Sequence, residues 1–184
     1  MGVLRTGVSL LGQADEECED NSAEAEHRKA RRLLARIPTL IGAHQMALDG
    51  KDPVEPRDDL SHAGNLLWCM SGEEPAEAAS KVMDVSLILY AEHDFNASTF
   101  TCRVIAATMS DLHSAICGGI SALKGALHGG ANEAAMAMLR EAMQAIDAGG
   151  NAEDWMQQAF ASKRKLMGFG HRVYKNYCHL YTSP

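Results

Sequence analysis

The sequence predicts an all-α protein, and three observations carry that expectation. Ala, Leu, Met and Glu, the stronger helix formers, are common along the chain. Aromatic residues make up only 5%. No stretch alternates apolar and polar residues with the period of two that a half-buried strand requires.

Residues 3–11 suit a short amphipathic helix stopped by Gly12, and residues 15–21 form an acidic surface loop. Asn21, with Glu24 three residues on, has the pattern of a capping box. It opens a long helix through Leu33, Leu34, Ile37, Leu40 and Ile41, which Pro38 should kink or split. The basic cluster at 28–32 reads as the solvated face of that helix. Residues 51–59 are polar and carry two prolines, so they form a loop, and 60–70 read as a short helix before Gly72. Pro75 sits at the start of the next helix. Leu87, Ile88 and Tyr90 are expected to bury its far end, which delivers Glu92, His93 and Asp94.

Asn96 and Ser98 are placed to cap a helix over 99–109. Asp111 opens another over 112–124, where Ala115, Gly118, Gly119, Ser121 and Ala122 permit close packing. Glycine costs helix stability, so that run points to a buried or interface helix. Gly129 and Gly130 break the chain before a helix over 131–146, with Ala134, Met138 and Met143 available for packing. Asn151 with Asp154 starts the last clear helix, 152–163. A boundary between two lobes falls near Gly129 and Gly130.

Composition excludes several function classes. With 17 Lys and Arg against 24 Asp and Glu, the net charge of −7 opposes a nucleic-acid partner, because phosphate binding needs a concentrated basic surface. The longest apolar stretch, 85–91, is too short to span a bilayer, so no membrane role is expected. Five cysteines, at 18, 69, 102, 117 and 178, form no paired spacing. With no signal-peptide core at the N-terminus, this reads as a cytoplasmic, reducing setting.

Three histidine motifs carry the chemistry. In KLMGFGHRVYK (165–175), glycines at 168 and 170 allow close ligand approach and offer His171 as a hydrogen-bond or proton donor beside a place for an anion. His128 precedes a glycine pair and a helix start, where the unsatisfied N–H groups and the helix dipole disfavour a positive charge. A neutral imidazole there can stabilise a developing enolate oxygen, or it can simply cap the helix. His93 lies between two carboxylates and near Asn96 and Ser98. Consecutive helix residues point in different directions, so a polar substrate-binding corner is favoured over a metal site. His113 and Cys117, at i and i+4, have zinc-ligand spacing but no second ligand pair in sequence, and core packing is the favoured reading. No metal site and no permanently bound cofactor is expected. His27, His44 and His62 are assigned no chemistry.

Taken together, LYAEHDFNAST (89–99), GALHGGANE (125–133) and MGFGHRVYK (167–175) resemble the motifs of the citrate synthase family, which includes 2-methylcitrate synthase, in order and in separation. MGVLRTGVS at the start and RDDLSHAGNL (57–66) are similar as well, so the resemblance runs to about residue 177. It implies an all-α fold in which 1–130 is part of the large domain and 131–184 part of the small one, with a divergent tail at 178–184. It also implies a homodimer with residues 112–124 at the subunit interface.

The implied activity is acyl transfer: condensation of acetyl-CoA or propionyl-CoA with oxaloacetate to citrate or 2-methylcitrate and CoA. By motif, His128 would stabilise the enol of the thioester while an aspartate removes the α-proton. His171 would polarise the oxaloacetate carbonyl. His93 and Asn96 would bind oxaloacetate, and Leu166, Met167, Gly168, Phe169 and Gly170 would pass against CoA. After residue 177 the family reads Asp-Pro-Arg where this sequence has CHLYTSP. The family's catalytic aspartate and later arginines have no counterpart in the 184 residues, nor does an N-terminal helical region. The polypeptide is therefore expected to be truncated at both ends and to turn over little alone. The alternative is a non-catalytic helical fragment, or a subunit that pairs with a complete synthase.

Overall fold

A computed structural model describes residues 1–92 and 94–168. Among them are eight α-helices and no strand: α1 (Gly2–Gln13), α2 (Ala23–Leu48), α3 (His62–Ser71), α4 (Glu77–Tyr90), α5 (Ala97–Ala106), α6 (Leu112–Leu123), α7 (Gly130–Asp147) and α8 (Ala152–Ala161). The chain divides into two compact units, Met1–Lys124 and Gly125–Pro184.

In the first unit, α1, α2 and α6 enclose a core of Val8, Leu33 and Ile120, flanked by Leu4, Leu11, Ile37, Leu40, Leu112 and Ile116. Each fully buried aliphatic side chain of this kind contributes about 1.5–3 kcal/mol. Helix α3 packs between α2 and α4, and α5 lies along α6. Most boundaries are set by side-chain caps. Ser61, Asn96 and Asp111 accept from the N–H groups of Gly64, Thr99 and Ser114, and Gly72 ends α3 in the left-handed conformation at φ 72°. In the second unit α7 packs on α8. Met138 and Ala159 are buried there, whereas Met143 is exposed.

Several local expectations are corrected by packing. Gly12 does not stop α1; it lies buried within the helix, where a Cβ would stand 2.9 Å from the Cβ of His113. It is a close-approach residue. Pro38 neither splits α2 nor ends it. Its ring is buried, and the Thr39 hydroxyl donates to the Arg36 carbonyl at 2.7 Å, so packing offsets a backbone cost of roughly 3 kcal/mol. The cap of α2 is Ser22 rather than Asn21. Asn21 instead donates to the carbonyl of Met109 at 3.0 Å, a residue held at φ 63°. Ser98 does not cap α5. It lies in the first turn and donates to the Gly119 carbonyl at 2.9 Å. The end of α4 is not buried: Ile88 and Tyr90 are 65% and 76% exposed, because α4 meets α3 through its other face.

The basic cluster of α2 is not simply solvated either. Lys29 is fully buried, donating to the carbonyls of Cys18 and Asp20 at 3.0 and 2.8 Å and pairing with Glu26 at 2.7 Å. Arg32 grips Asp15 through two bonds and Glu17 through a third, and Arg28 holds Glu17 from the other side. The acidic loop is thus strapped to α2. Burial acts to raise the Asp15 pKa, but the Glu17 N–H and Arg32 outweigh it and the net direction is down.

Arg28 and then Arg32 hold the Glu17 carboxyl at about 2, below its usual 4.5. A depressed carboxylate stabilises the fold above its unfolded value and loses that contribution as pH falls through the folded one. The difference in urea midpoint between the parent chain and Glu17→Gln is therefore expected to shrink as pH drops from 4.5 to 2. A difference that stays constant across that window would show that the strap contributes nothing through charge.

Candidate active site

All three histidine motifs contribute described residues, the first in the first unit and the other two in the second. In the first unit the approach to α5 is built by carboxylate and amide turns. The Glu92 carboxylate accepts from the Asp94 N–H at 2.6 Å and holds Asp94 at φ 51°, an αL conformation that Asp tolerates through such local bonds. Asn96 then caps α5, its Oδ1 accepting from the Thr99 N–H at 3.0 Å. Arg103 lies over the Phe95 ring at 4.9 Å, and Ser98 pins the first turn to α6. Half-buried Asn96 therefore has a fixed orientation in which its oxygen serves the cap. His93 lies outside the described residues.

In the second unit, His128 occupies a turn that leads straight into α7. Its N–H donates to the Gly125 carbonyl at 2.9 Å, and the Gly129 N–H donates to the same oxygen at 3.2 Å. Gly129 is the N-cap of α7 and supplies no side-chain acceptor to the helix's first N–H groups. His128 is thus half-buried and directly precedes the N-cap of an 18-residue helix, whose start carries partial positive charge. The family-implied role of His128, hydrogen-bond donation to a developing oxyanion, is compatible with that placement.

The glycine loop leaves α8 through Lys163, at φ 54°. Arg164 follows and is clamped twice: its guanidinium is bidentate to Glu141 of α7 at 2.5 and 2.6 Å and lies over the Trp155 ring of α8 at 5.4 Å. The hydrogen bonds from Arg164 hold the Glu141 carboxyl below its usual range. Leu166 and Met167 are half-buried beyond this clamp. Gly168 adopts φ 89°, and a Cβ there would meet only Ala135 at an ordinary 3.8 Å. Glycine is required at 168 by backbone conformation rather than by space. Phe169, Gly170 and His171 lie outside the described residues.

Sequence reasoning missed the Arg164–Glu141–Trp155 clamp, which fixes where the glycine loop begins relative to α7. Its partners are 23 and 9 positions away from Arg164, and no local pattern links them; Lys163, Arg164 and Lys165 form a short basic run that names no partner. Among the described residues no helix is long and apolar enough to cross a membrane.

The comparisons with known proteins agree with this geometry. The family model described as "Citrate synthase, C-terminal domain" matches residues 1–177. Citrate synthase 2 of Bacillus subtilis (strain 168) is 48% identical over 176 residues, covering 96% of this chain and 46% of that protein. The 2-methylcitrate synthase of Mycobacterium tuberculosis (strain ATCC 35801 / TMC 107 / Erdman) is 45% identical over 176 residues, covering 96% and 43%. The solved ternary complex of carboxymethyl coenzyme A and oxaloacetate with citrate synthase from Thermoplasma acidophilum superposes with a TM-score of 0.72 at 30% identity, over 95% of this chain and 45% of that one. The chain spans a little under half the length of these relatives. An all-helical architecture, the ordered histidine motifs and a family match that runs through nearly every residue lead to one assignment: the chain belongs to the citrate synthase family.

Proposed function

We propose that this chain carries part of the machinery of an acyltransferase that condenses acetyl-CoA or propionyl-CoA with oxaloacetate and releases citrate or 2-methylcitrate and CoA. The observation that carries the reading is His128, seated half-buried at the start of α7 within a motif the family shares. In this reading His128 stabilises the enol of the thioester, because a thioester α-proton is so weakly acidic that base and oxyanion donor must act together. His93 and the Asn96 amide bind oxaloacetate, and His171 polarises its carbonyl. Residues 166–170 lie against CoA, with Gly168 allowing the backbone its turn. CoA is a co-substrate rather than a resident cofactor. We also propose a cytoplasmic setting and a dimeric assembly. Apolar Val82, Val85, Ile88 and Leu89 on α4 and Phe100 and Val104 on α5 are exposed, and such faces mark association. The glycines of α6 at 118 and 119 are already used against Ile105 and Cys102 of α5, so those two residues are not what a second subunit would meet.

In this reading no residue among the 184 is assigned the role of the family's proton-abstracting aspartate. A positioned base contributes about 10²–10⁴-fold, so the polypeptide of these residues by itself is expected to release CoA far more slowly than a chimera in which the same residues replace the matching stretch of the Bacillus subtilis relative. Thiol release from acetyl-CoA or propionyl-CoA with oxaloacetate measures both. Equal turnover by the isolated polypeptide would remove the argument from the missing base, and an inactive but folded chimera would remove the enzymatic reading. The exposed faces of α4 and α5 favour one further reading, a non-catalytic helical subunit that pairs with a complete synthase. Co-elution of the isolated chain with that relative, without added turnover, would support it.

A further inference from the structure

The first unit holds a second concentration of chemistry-bearing side chains that the proposed reaction does not use. His113, in the first turn of α6, is 3% exposed. Cys18, from the loop between α1 and α2, approaches its Nδ1 with Sγ at 3.9 Å. Asp111, the cap of α6, approaches the same nitrogen with Oδ1 at 3.8 Å. One ligand atom from each of the three lies within 4.8 Å of those of the other two. On the far side of the ring, Nε2 faces Oδ2 of Asp15 at 3.7 Å. Asp15 is itself anchored by two bonds from Arg32.

We propose that Cys18, Asp111 and His113 form a binding site for a zinc-like divalent transition-metal ion, with Asp15 as the outer carboxylate that orients the histidine. The ligand set suits such an ion: one thiolate, one imidazole and one carboxylate. Tetrahedral zinc, with sulfur at about 2.3 Å and nitrogen at about 2.0 Å, sets those two ligands roughly 3.5 Å apart. The present spacings of 3.9 and 3.8 Å therefore need only a small contraction.

The tautomer is also favourable. A proton on Nε2, facing Asp15 at 3.7 Å, leaves the Nδ1 lone pair for the ion beside Cys18 and Asp111, the carboxylate–histidine arrangement that supports metal-bound imidazoles. Burial lowers the His113 pKa against the pull of Asp15 and Asp111. Asp111 caps Ser114 through both oxygens, yet a carboxylate has about four lone-pair sites and can cap and ligate together. Burial and Asp111 raise the Cys18 thiol. Coordination displaces that proton to solvent, since a metal deprotonates its thiol ligand. Charge then balances, two negative ligands against a divalent cation.

Access comes through a polar cavity of about 200 Å³ whose walls include Ser9, Gln13, Cys18, Asp111, His113 and Cys117. It supplies room for a water in the fourth position. Cys117 is not a ligand in this arrangement, because its Sγ is directed to the Arg5 carbonyl at 3.3 Å.

The test is calorimetric titration of Zn²⁺ into the reduced, chelator-treated 184-residue chain, with Co²⁺ as a spectroscopic probe. Saturable binding with a thiolate-to-cobalt charge-transfer band is expected. Both the affinity and the band should fall in Cys18→Ser, and affinity should fall by about 10-fold or more in Asp111→Asn, which keeps the helix cap. Cys117→Ser and Cys102→Ser should bind as the parent does. Circular dichroism of each variant guards against misfolding. Absence of saturable binding, or binding untouched by Cys18→Ser and Asp111→Asn in folded variants, would show that the cluster is only a hydrogen-bonded part of the core.

Discussion

Gly42→Ala is expected to destabilise the first unit strongly, lowering its thermal and urea midpoints. At this position α2 crosses α3 so closely that a Cβ would stand 2.4, 2.5 and 2.6 Å from the Cβ, carbonyl oxygen and carbonyl carbon of Cys69. Two of those atoms are backbone and the third is fixed to it, so none can swing aside as a flexible side-chain end would. The helices must separate, exposing the buried faces around Met46, Ala63, Leu66 and Cys69. Overpacking a tight core site typically costs about 1–3 kcal/mol. The upper end is expected here, a large share of the roughly 5–15 kcal/mol that holds a domain together. Gly2→Ala, at the first turn of α1 with nothing within 4 Å, is the matched control and should melt at or above the parent temperature. A Gly42→Ala chain with the parent's thermal and urea midpoints would show that the α2–α3 crossing yields at little cost.

The largest effect on activity is expected from His128→Ala. Removing one preorganised oxyanion donor lowers kcat by about 10²–10³-fold in comparable enzymes. The same loss is expected in the chimera with the Bacillus subtilis relative, with KM for oxaloacetate nearly unchanged because the reading gives that ligand to His93, Asn96 and His171. The backbone bond from residue 128 to Gly125 survives the substitution, so the turn before α7 should persist and circular dichroism should not change. Turnover close to the parent's would remove His128 from the enol-stabilising role and leave it a structural residue of the turn. A rise in KM for oxaloacetate at constant kcat would instead place it on the other substrate.

Much of the fold was legible because its signals are local. Asp111 and Asn151 have the pattern of helix starts, and both accept from an N–H three residues on. Gly72 has the pattern of a stop, and it takes the left-handed conformation a stop requires. Asn21 misled by one residue, since Ser22 beside it is as good a cap and the competing partner of Asn21, Met109, is 88 positions away. The Gly125–Glu133 motif placed His128 before a helix, and the structure has it there. The clamp of Arg164 on Glu141 and Trp155 had no such local signature.

The sequence by itself determined the all-helical class, the succession of the helices and the family, because composition, caps and motif order are properties of neighbouring residues. Only the tertiary structure decided what each residue faces. It made Gly12 and Gly42 contact points rather than breaks, buried Lys29 within a cluster that reads as solvated, and left Ile88 and Tyr90 exposed on a helix that reads as buried. It also gathered Cys18, Asp111, His113 and Asp15 around one imidazole. Burial and proximity depend on which face another element covers, and the 95 positions between Cys18 and His113 are closed by helix packing alone.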